Sequence, residues 1–152
     1  MGAGGPLAVG GLLRAIALSL QRNFGRTIVV DLVGEPPHVL PEPESIPVAL
    51  TVNELLTNAL KHGQGGDVHC RLAAQGETIH IQIASRGALP PGFDLGQVRG
   101  GVSGLGLVRA LLPRRSATFT LTQQADEVVA ALELRAPSVR LPEPADQPQS
   151  VA

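Results

Sequence analysis

The chain of 152 residues has very few aromatic side chains, with three Phe and neither Trp nor Tyr. Its 12 Lys and Arg are balanced by 13 Asp and Glu, and the sequence contains no extended basic cluster. Nucleic-acid-binding proteins usually rely on aromatic stacking platforms and on cationic grooves, and both features are missing. We therefore do not expect a nucleic acid as a partner.

Cysteine and long uninterrupted apolar runs are also scarce. Cys70 is the single cysteine, so it cannot form an intramolecular disulfide, and no metal-ligand spacing surrounds it. The apolar run at residues 2–20 is interrupted by Arg14, follows no basic region and leads to no clear cleavage site. We interpret this run as a packing helix and expect no membrane contact from this chain. The cysteine usage favours a cytoplasmic location.

The length fits one domain with a sizeable core. Apolar residues at helical or alternating spacing, separated by Gly- and Pro-rich connections, predict three helices and five strands. Gly25 and Gly63 are expected to end the first two helices, and Ser45 is expected to begin the second, with Pro47 in its first turn. The predicted helices span 7–24, 45–62 and 104–112. The predicted strands span 26–33, 67–73, 77–84, 117–122 and 128–134.

The order of these elements indicates the fold class. The last four strands form two hairpins, and no βαβ unit repeats along the chain. The predicted fold class is α/β, a two-layer α/β sandwich in which helices cover one face of a mixed, mostly antiparallel sheet. We expect this domain to occupy residues 1–135, and the Pro-rich residues 136–152 to form a disordered tail.

The second predicted helix carries an unusual polar face. Glu54 and Asn58 are four residues apart and Lys61 follows three later, so the three side chains form one stripe. Leucine, valine and alanine occupy the opposite face, which is expected to pack in the core. An acid, an amide and a cation in one row suit a phosphate and a metal ion. An ordinary solvated helix face is the alternative, although such faces are usually richer in Lys and Glu.

A glycine-rich segment follows at residues 100–108 and leads directly into the third predicted helix. Its backbone N–H groups can converge on one anion at the helix start, and phosphate is the anion best suited to such a site. A flexible glycine loop without a ligand is an equally common interpretation. The segment is not a Walker loop, because the G-x-x-x-x-G-K-[ST] pattern is absent, and it lacks the strand that a dinucleotide fold requires.

The motif N-E-L-x-x-N-A-x-K-H from Asn53, followed by S-G-L-G-L at residues 103–107, resembles the ATP-binding catalytic domain of sensor histidine kinases. This superfamily is shared with gyrase and related ATPases. The similarity extends over residues 7–134, and the Leu-Pro-Pro-Gly-Phe-Asp run at 89–94 is closest to the bacterial branch related to the HWE kinases. The resemblance implies a Bergerat-type ATPase fold, ATP as the nucleotide and Mg²⁺ as its cofactor. It also implies a phosphoacceptor histidine hairpin or a response regulator as a protein partner, and leaves a homodimer open.

The resemblance further implies roles for individual residues. Glu54 would be a catalytic residue that polarises or deprotonates the phosphate acceptor, and Asn58 would hold Mg²⁺. Lys61, also assigned a catalytic role, and His62 would face the phosphate chain. Phosphoryl transfer needs mainly charge neutralisation and positioning, which these groups supply. The lid and its backbone donors would come from Gly101, Ser103, Gly104, Leu105 and Gly106.

The chain departs from the family at the adenine-binding box. The family usually places an Asp, in a D-x-G-x-G box, directly after the strand that ends here near Ala84, where its carboxylate accepts a hydrogen bond from the adenine amino group. This chain is one residue short at that point, so Ser85 takes the place of the acid, and Gly87 belongs to the same binding segment. The loss of a charged acceptor costs on the order of 1–3 kcal/mol, roughly ten- to hundredfold in affinity.

No phosphoacceptor hairpin is expected within the chain, because only one helix precedes the first predicted strand. Each of the four histidines is interpreted as a local structural residue rather than an acceptor. The leading hypothesis is a kinase domain that transfers the ATP γ-phosphate to a histidine outside this chain. The alternatives are a pseudo-ATPase interaction module for a two-component partner, an anti-sigma-factor type serine kinase, and a sandwich without a ligand. The histidines are His38, His62, His69 and His80.

Overall fold

A computed structural model describes residues 6–89 and 116–143. Within these residues the chain forms two helices and seven strands. The helices are α1 (Val9–Phe24) and α2 (Glu42–His62). The strands are β1 (Leu7–Ala8), β2 (Ile28–Leu32), β3 (Val39–Leu40), β4 (Val68–Gln75), β5 (Thr78–Arg86), β6 (Ala117–Gln124) and β7 (Glu127–Leu134).

Five of the strands form one sheet in the order β2-β4-β5-β7-β6. β2 runs parallel to β4, and every other neighbouring pair is antiparallel. Both predicted hairpins are confirmed, and Gly76 turns the chain between β4 and β5 with a φ of 64°, a value that favours glycine. The two short strands β1 and β3 pair separately as a ribbon.

Both helices pack on one face of the sheet. In β5, Ile79, Ile81 and Ile83 alternate with more exposed residues and belong to the same buried cluster as Leu13 of α1 and Leu56 of α2. The opposite face of the sheet carries mostly polar or small side chains, among them the exposed His69, Arg71 and Gln82. This arrangement confirms the predicted two-layer α/β sandwich with a mixed, mostly antiparallel sheet.

The start of α2 differs from the prediction. The helix begins at Glu42, three residues before Ser45, and Pro43 stands in its first turn, where the backbone N–H is not needed within the helix. Ser45 does not cap the helix, because its hydroxyl donates to the Glu42 carbonyl at 2.8 Å. Pro47 lies inside the helix, and the Thr51 hydroxyl donates to its carbonyl at 2.8 Å. The acidic first turn, which favours a helix N-terminus, was the signal for the earlier start.

α1 agrees with the prediction at its end and differs at its start. Gly25 closes the helix in the left-handed conformation, at a φ of 63°, and its N–H donates to the Gln21 carbonyl at 2.9 Å. The helix begins at Val9 instead of residue 7, because β1 pairs with β3. None of the helices in the described part of the chain is long and apolar enough to cross a membrane.

The packed region reaches beyond residue 135. Val139 is completely buried, and Arg140 exchanges two backbone hydrogen bonds with Val39, at 2.8 and 3.0 Å. The hydroxyls of Ser116 and Ser138 are also buried and lie 2.6 Å apart. The predicted boundary at 135 therefore falls inside a packed segment. The rest of the predicted tail, from residue 144, and the helix predicted at 104–112 lie outside the described residues.

Cys70 lies in the centre of this core, on β4, with no exposed surface. Burial raises the pKa of its thiol from 9.0 to about 12, because the thiolate would lose its hydration. The thiol is therefore protonated and unreactive at neutral pH.

We predict that Cys70 makes the domain less stable at alkaline pH. The unfolded chain releases the thiol proton near pH 9.0, whereas the folded chain holds it until about 12. Because the unfolded state binds fewer protons in this window, the free energy of unfolding should be unaffected below it and should fall as the pH rises through it. Urea denaturation of the wild type and of Cys70→Val at neutral and alkaline pH measures this effect. A difference between the two proteins that stays constant with pH contradicts it.

Candidate functional site

The polar stripe of α2 lies where the sequence predicts it, beside the buried face of the helix. Glu54 and Asn58 are half-buried, whereas Lys61 and His62 are exposed. Within residues 6–89 and 116–143, no hydrogen bond or ion pair engages any of these four side chains. Within the described part of the chain, the row is therefore available to a ligand.

The last turn of α2 ends against the end of β5. Gly63 donates its N–H to the Ala59 carbonyl at 2.9 Å, and the next residue, Gln64, donates to the Arg86 carbonyl at 2.8 Å. A Cβ on Gly63 would lie only 2.5 Å from the Ala59 oxygen, so only glycine fits at this junction. The helix end and the strand end are therefore fixed to one another.

The predicted adenine box lies at this junction. Ser85 is buried near the end of β5, with 7% of its surface exposed. A Cβ on Gly87 would lie 3.7 Å from the His62 carbonyl oxygen and 4.0 Å from the Gly63 Cα. The structure thus brings Gly87 next to the last turn of α2, where the predicted stripe ends, and Ser85 lies two residues before Gly87 in β5. The remaining predicted site residues lie outside the described residues: Gly101, Ser103, Gly104, Leu105 and Gly106.

Arg26 joins α2 to the connection that follows it, a contact that the sequence analysis missed. Its Nη1 donates to the Leu60 carbonyl at 2.7 Å, and its Nη2 donates to the Gly66 carbonyl at 2.9 Å. The partners are 34 and 40 residues away along the chain, so no local motif reveals the contact. The local signal is limited to the position of an Arg directly after the Gly25 helix cap.

Gln123 holds the chain that leaves β5, and the sequence analysis missed it as well. Its Oε1 accepts the Leu89 N–H at 2.8 Å, and its Nε2 donates to the Gly87 carbonyl at 3.0 Å. The same Nε2 reaches the carbonyls of Ala125 and Glu127, at 2.9 and 3.2 Å. One amide therefore links the exit of β5 to the β6–β7 hairpin.

A second link connects the same two segments. The Gly87 N–H donates to the Asp126 carbonyl at 2.9 Å, and the Arg86 guanidinium lies 3.4 Å from the Asp126 carboxylate. Both members of this ion pair are well exposed, at 64% and 71% of their side-chain surface, so the pair itself contributes little to stability. The backbone bond and the Gln123 amide determine the course of the chain here.

Comparison with solved structures identifies the architecture. The histidine kinase domain of the Erythrobacter litoralis EL346 blue-light activated histidine kinase superposes with a TM-score of 0.70 at 23% identity, over 84% of this chain and 60% of that chain. This is the fold of histidine kinase catalytic domains. The mycobacterial sensor histidine kinase MprB has the same histidine kinase fold, with a TM-score of 0.68 at 17% identity, over 87% of this chain and 97% of that one.

The chain spans less than two thirds of the EL346 domain. It spans a smaller part of full-length ShkA. Full-length ShkA in complex with AMPPNP superposes with a TM-score of 0.65 at 19% identity, over 87% of this chain and 31% of that chain. No family model and no curated protein matches the sequence. At these identities the likeness establishes the histidine kinase fold, and the roles of the residues depend on the site itself.

We predict that Gln123→Ala destabilises the domain, whereas Gln124→Ala does not. Loss of the Gln123 amide removes several hydrogen bonds to the backbone and should lower the free energy of unfolding by about 1–2 kcal/mol. Gln124 makes one long side-chain contact, 3.4 Å to Thr122, so its replacement should change that free energy by less than about 0.5 kcal/mol. Urea denaturation of the two variants provides the comparison. Equal effects at the two neighbouring positions would show that Gln123 has no special role.

Proposed function

We propose that the chain is the ATP-binding catalytic domain of a two-component sensor histidine kinase, which transfers the ATP γ-phosphate to a histidine outside this chain. The observation that carries this proposal is the row of Glu54, Asn58 and Lys61 on α2, which has no partner within the described residues and ends where α2 joins the end of β5. In a histidine kinase fold, this row and the strand end offer one surface to a nucleotide.

The donor chemistry of the row suits Mg²⁺. Magnesium prefers oxygen ligands and keeps several waters, so one or two protein oxygens beside the nucleotide phosphates suffice. Asn58 supplies an amide oxygen and Glu54, one turn earlier, a carboxylate. Both are half-buried and have no partner among residues 6–89 and 116–143. In this proposal Asn58 would hold the ion, and the ion would neutralise charge on the phosphates.

Glu54 then acts on the acceptor histidine. Its carboxylate accepts a hydrogen bond from the acceptor imidazole and orients the ring toward the γ-phosphate, or takes the proton that the ring releases. These steps need a carboxylate without a competing protein cation, and Glu54 forms no ion pair within the described residues. The acceptor belongs to a phosphoacceptor hairpin, and the phosphoryl group passes on to a response regulator.

Lys61 and His62 place basic side chains at a position where the backbone alone would disfavour phosphate. They end α2, and the C-terminus of a helix carries a partial negative charge of about half a unit, which repels phosphate. A full positive charge on Lys61 outweighs this dipole, and its exposed ammonium is able to turn toward the phosphate chain. The last turn of α2 is thus made suitable for an anion by its side chains rather than by its backbone.

We predict that the 152-residue protein binds AMPPNP with Mg²⁺, with a Kd in the micromolar range, and that Asn58→Ala abolishes the binding. Asn53→Ala is the matched control, since Asn53 is an exposed asparagine on the same helix and should be replaceable without effect. Isothermal titration calorimetry measures all three proteins. The absence of binding by the wild type at millimolar nucleotide contradicts the proposed function.

A pseudo-ATPase that binds a two-component partner is the second candidate. It is favoured by Ser85, because the position that carries an acid in the family is occupied by a buried neutral hydroxyl. A hydroxyl accepts the hydrogen bond of an adenine amino group more weakly than a carboxylate does. In this alternative, α2 retains its polar stripe without a working base pocket.

Replacement of Ser85 by aspartate tests whether a base pocket is present. If nucleotide binds here, Ser85→Asp should strengthen AMPPNP binding about ten- to hundredfold, because a charged acceptor is restored. Ser19→Asp, at an exposed serine of α1, adds the same charge elsewhere and should leave the affinity unchanged. Titration calorimetry gives the affinities, and circular dichroism verifies that each variant is folded. A folded Ser85→Asp variant with no gain in affinity favours the interaction module.

A further inference from the structure

In the last turn of α2, the Leu60 carbonyl has no hydrogen-bond donor from within the helix. In a helix that continued past His62, the N–H of Gln64 would donate to the Leu60 carbonyl. Here the Gln64 N–H donates to the Arg86 carbonyl at 2.8 Å instead, so that the helix end joins β5. The Leu60 carbonyl therefore needs another donor, and it belongs to the negative end of the helix dipole.

Arg26 supplies that donor from another part of the chain. Its Nη1 donates to the Leu60 oxygen at 2.7 Å, the short distance expected of a charge-assisted hydrogen bond. A guanidinium at a helix C-terminus also offsets the partial negative charge there. Arg26 thus replaces the missing backbone donor and places a full positive charge at the end of α2 that faces β5.

The second contact of Arg26 extends this effect to the following connection. Nη2 donates to the Gly66 carbonyl at 2.9 Å, so that one rigid, planar group spans the last turn of α2 and the chain beyond it. Lys61 and His62 lie between these two anchored carbonyls. Their backbone is therefore held on one side by Arg26 and on the other by the Gln64 bond to β5.

We propose that Arg26 is a positioning residue for the phosphate end of the site, which holds the last turn of α2 so that Lys61 is presented to the nucleotide. The inference rests on the proposed nucleotide-binding function. In this proposal Arg26 acts through the backbone that carries Lys61, since the two bonds of its guanidinium go to backbone carbonyls on either side of that residue.

The test compares Arg26→Met and Arg26→Lys with the wild type and with Arg22→Met. Methionine removes both hydrogen bonds and the charge, whereas lysine keeps the charge and cannot form the planar fork. Arg22 lies in the last turn of α1, is exposed and forms no side-chain hydrogen bond within the described residues, so its replacement controls for a general loss of charge.

The first readout is the affinity for AMPPNP with Mg²⁺, measured by titration calorimetry. Arg26→Met should weaken binding about five- to tenfold, Arg26→Lys should weaken it less, and Arg22→Met should bind like the wild type. The second readout is amide hydrogen exchange of the free proteins. Arg26→Met should accelerate exchange in residues 61–66 while the amides of β4 and β5 keep their protection.

The possible outcomes separate this inference from the proposed function. Local acceleration together with weaker binding supports Arg26 as a positioning residue. If wild-type protein binds AMPPNP and Arg26→Met binds it equally well, only the inference is overturned. Faster exchange throughout the sheet, or an equal loss of affinity in Arg22→Met, also overturns it, since these results indicate global destabilisation or a general charge effect. If the wild type does not bind AMPPNP, the proposed function fails, and the assignment of Arg26 fails with it.

Discussion

The site depends on the hydrogen bond between the Gln64 N–H and the Arg86 carbonyl. This bond ends α2 at a fixed place on the sheet and brings His62 next to Gly87, although the two elements come from different layers of the sandwich. It removes the donor that the Leu60 carbonyl would otherwise use. Because the Gln64 N–H donates to Arg86, the Leu60 carbonyl is left to accept a hydrogen bond from Arg26.

Rigidity at this junction has a physical purpose in the proposed reaction. Phosphoryl transfer requires reacting groups to be held in place, because little covalent chemistry is done by the protein. Long-range hydrogen bonds that involve Arg26, Gln64, Gly87 and Gln123 hold the segments on either side of the site. Within the described residues, the side chains of Glu54, Asn58 and Lys61 make no such contacts, so the proposed ligand-binding groups stay available while the backbone around them is fixed.

Much of the fold could be predicted from the sequence, because its signals are local. The alternation of Ile79, Ile81 and Ile83 indicates a strand with one buried face, and Gly25 ends α1 as expected. The start of α2 could not be placed, since Pro43 and Pro47 each suit a first helical turn and only packing decides between them. The ribbon of β1 and β3 was also missed, as two-residue strands have no periodicity to detect.

The residues of the candidate site also fall into two groups, those that the sequence predicts and those that it does not. The stripe on α2 follows from helical spacing and is present as predicted, whereas Arg26 and Gln123 act through backbone carbonyls far away in sequence. Every residue has a backbone carbonyl, so the amino-acid sequence does not indicate which carbonyl a distant side chain will contact. Side chains that bind a ligand leave a pattern, and side chains that hold the backbone leave almost none.

The ribbon at the other end of the domain has a mechanical consequence. Val39 of β3 pairs with Ala8 on one side and with Arg140 on the other, so the two segments lie two strand spacings apart, roughly 10 Å. Val39 stands three residues before Glu42, where α2 begins. A force on β1 or on the segment around Arg140 therefore acts on the same short strand, β3. This strand lies just before α2, the helix that carries the polar stripe.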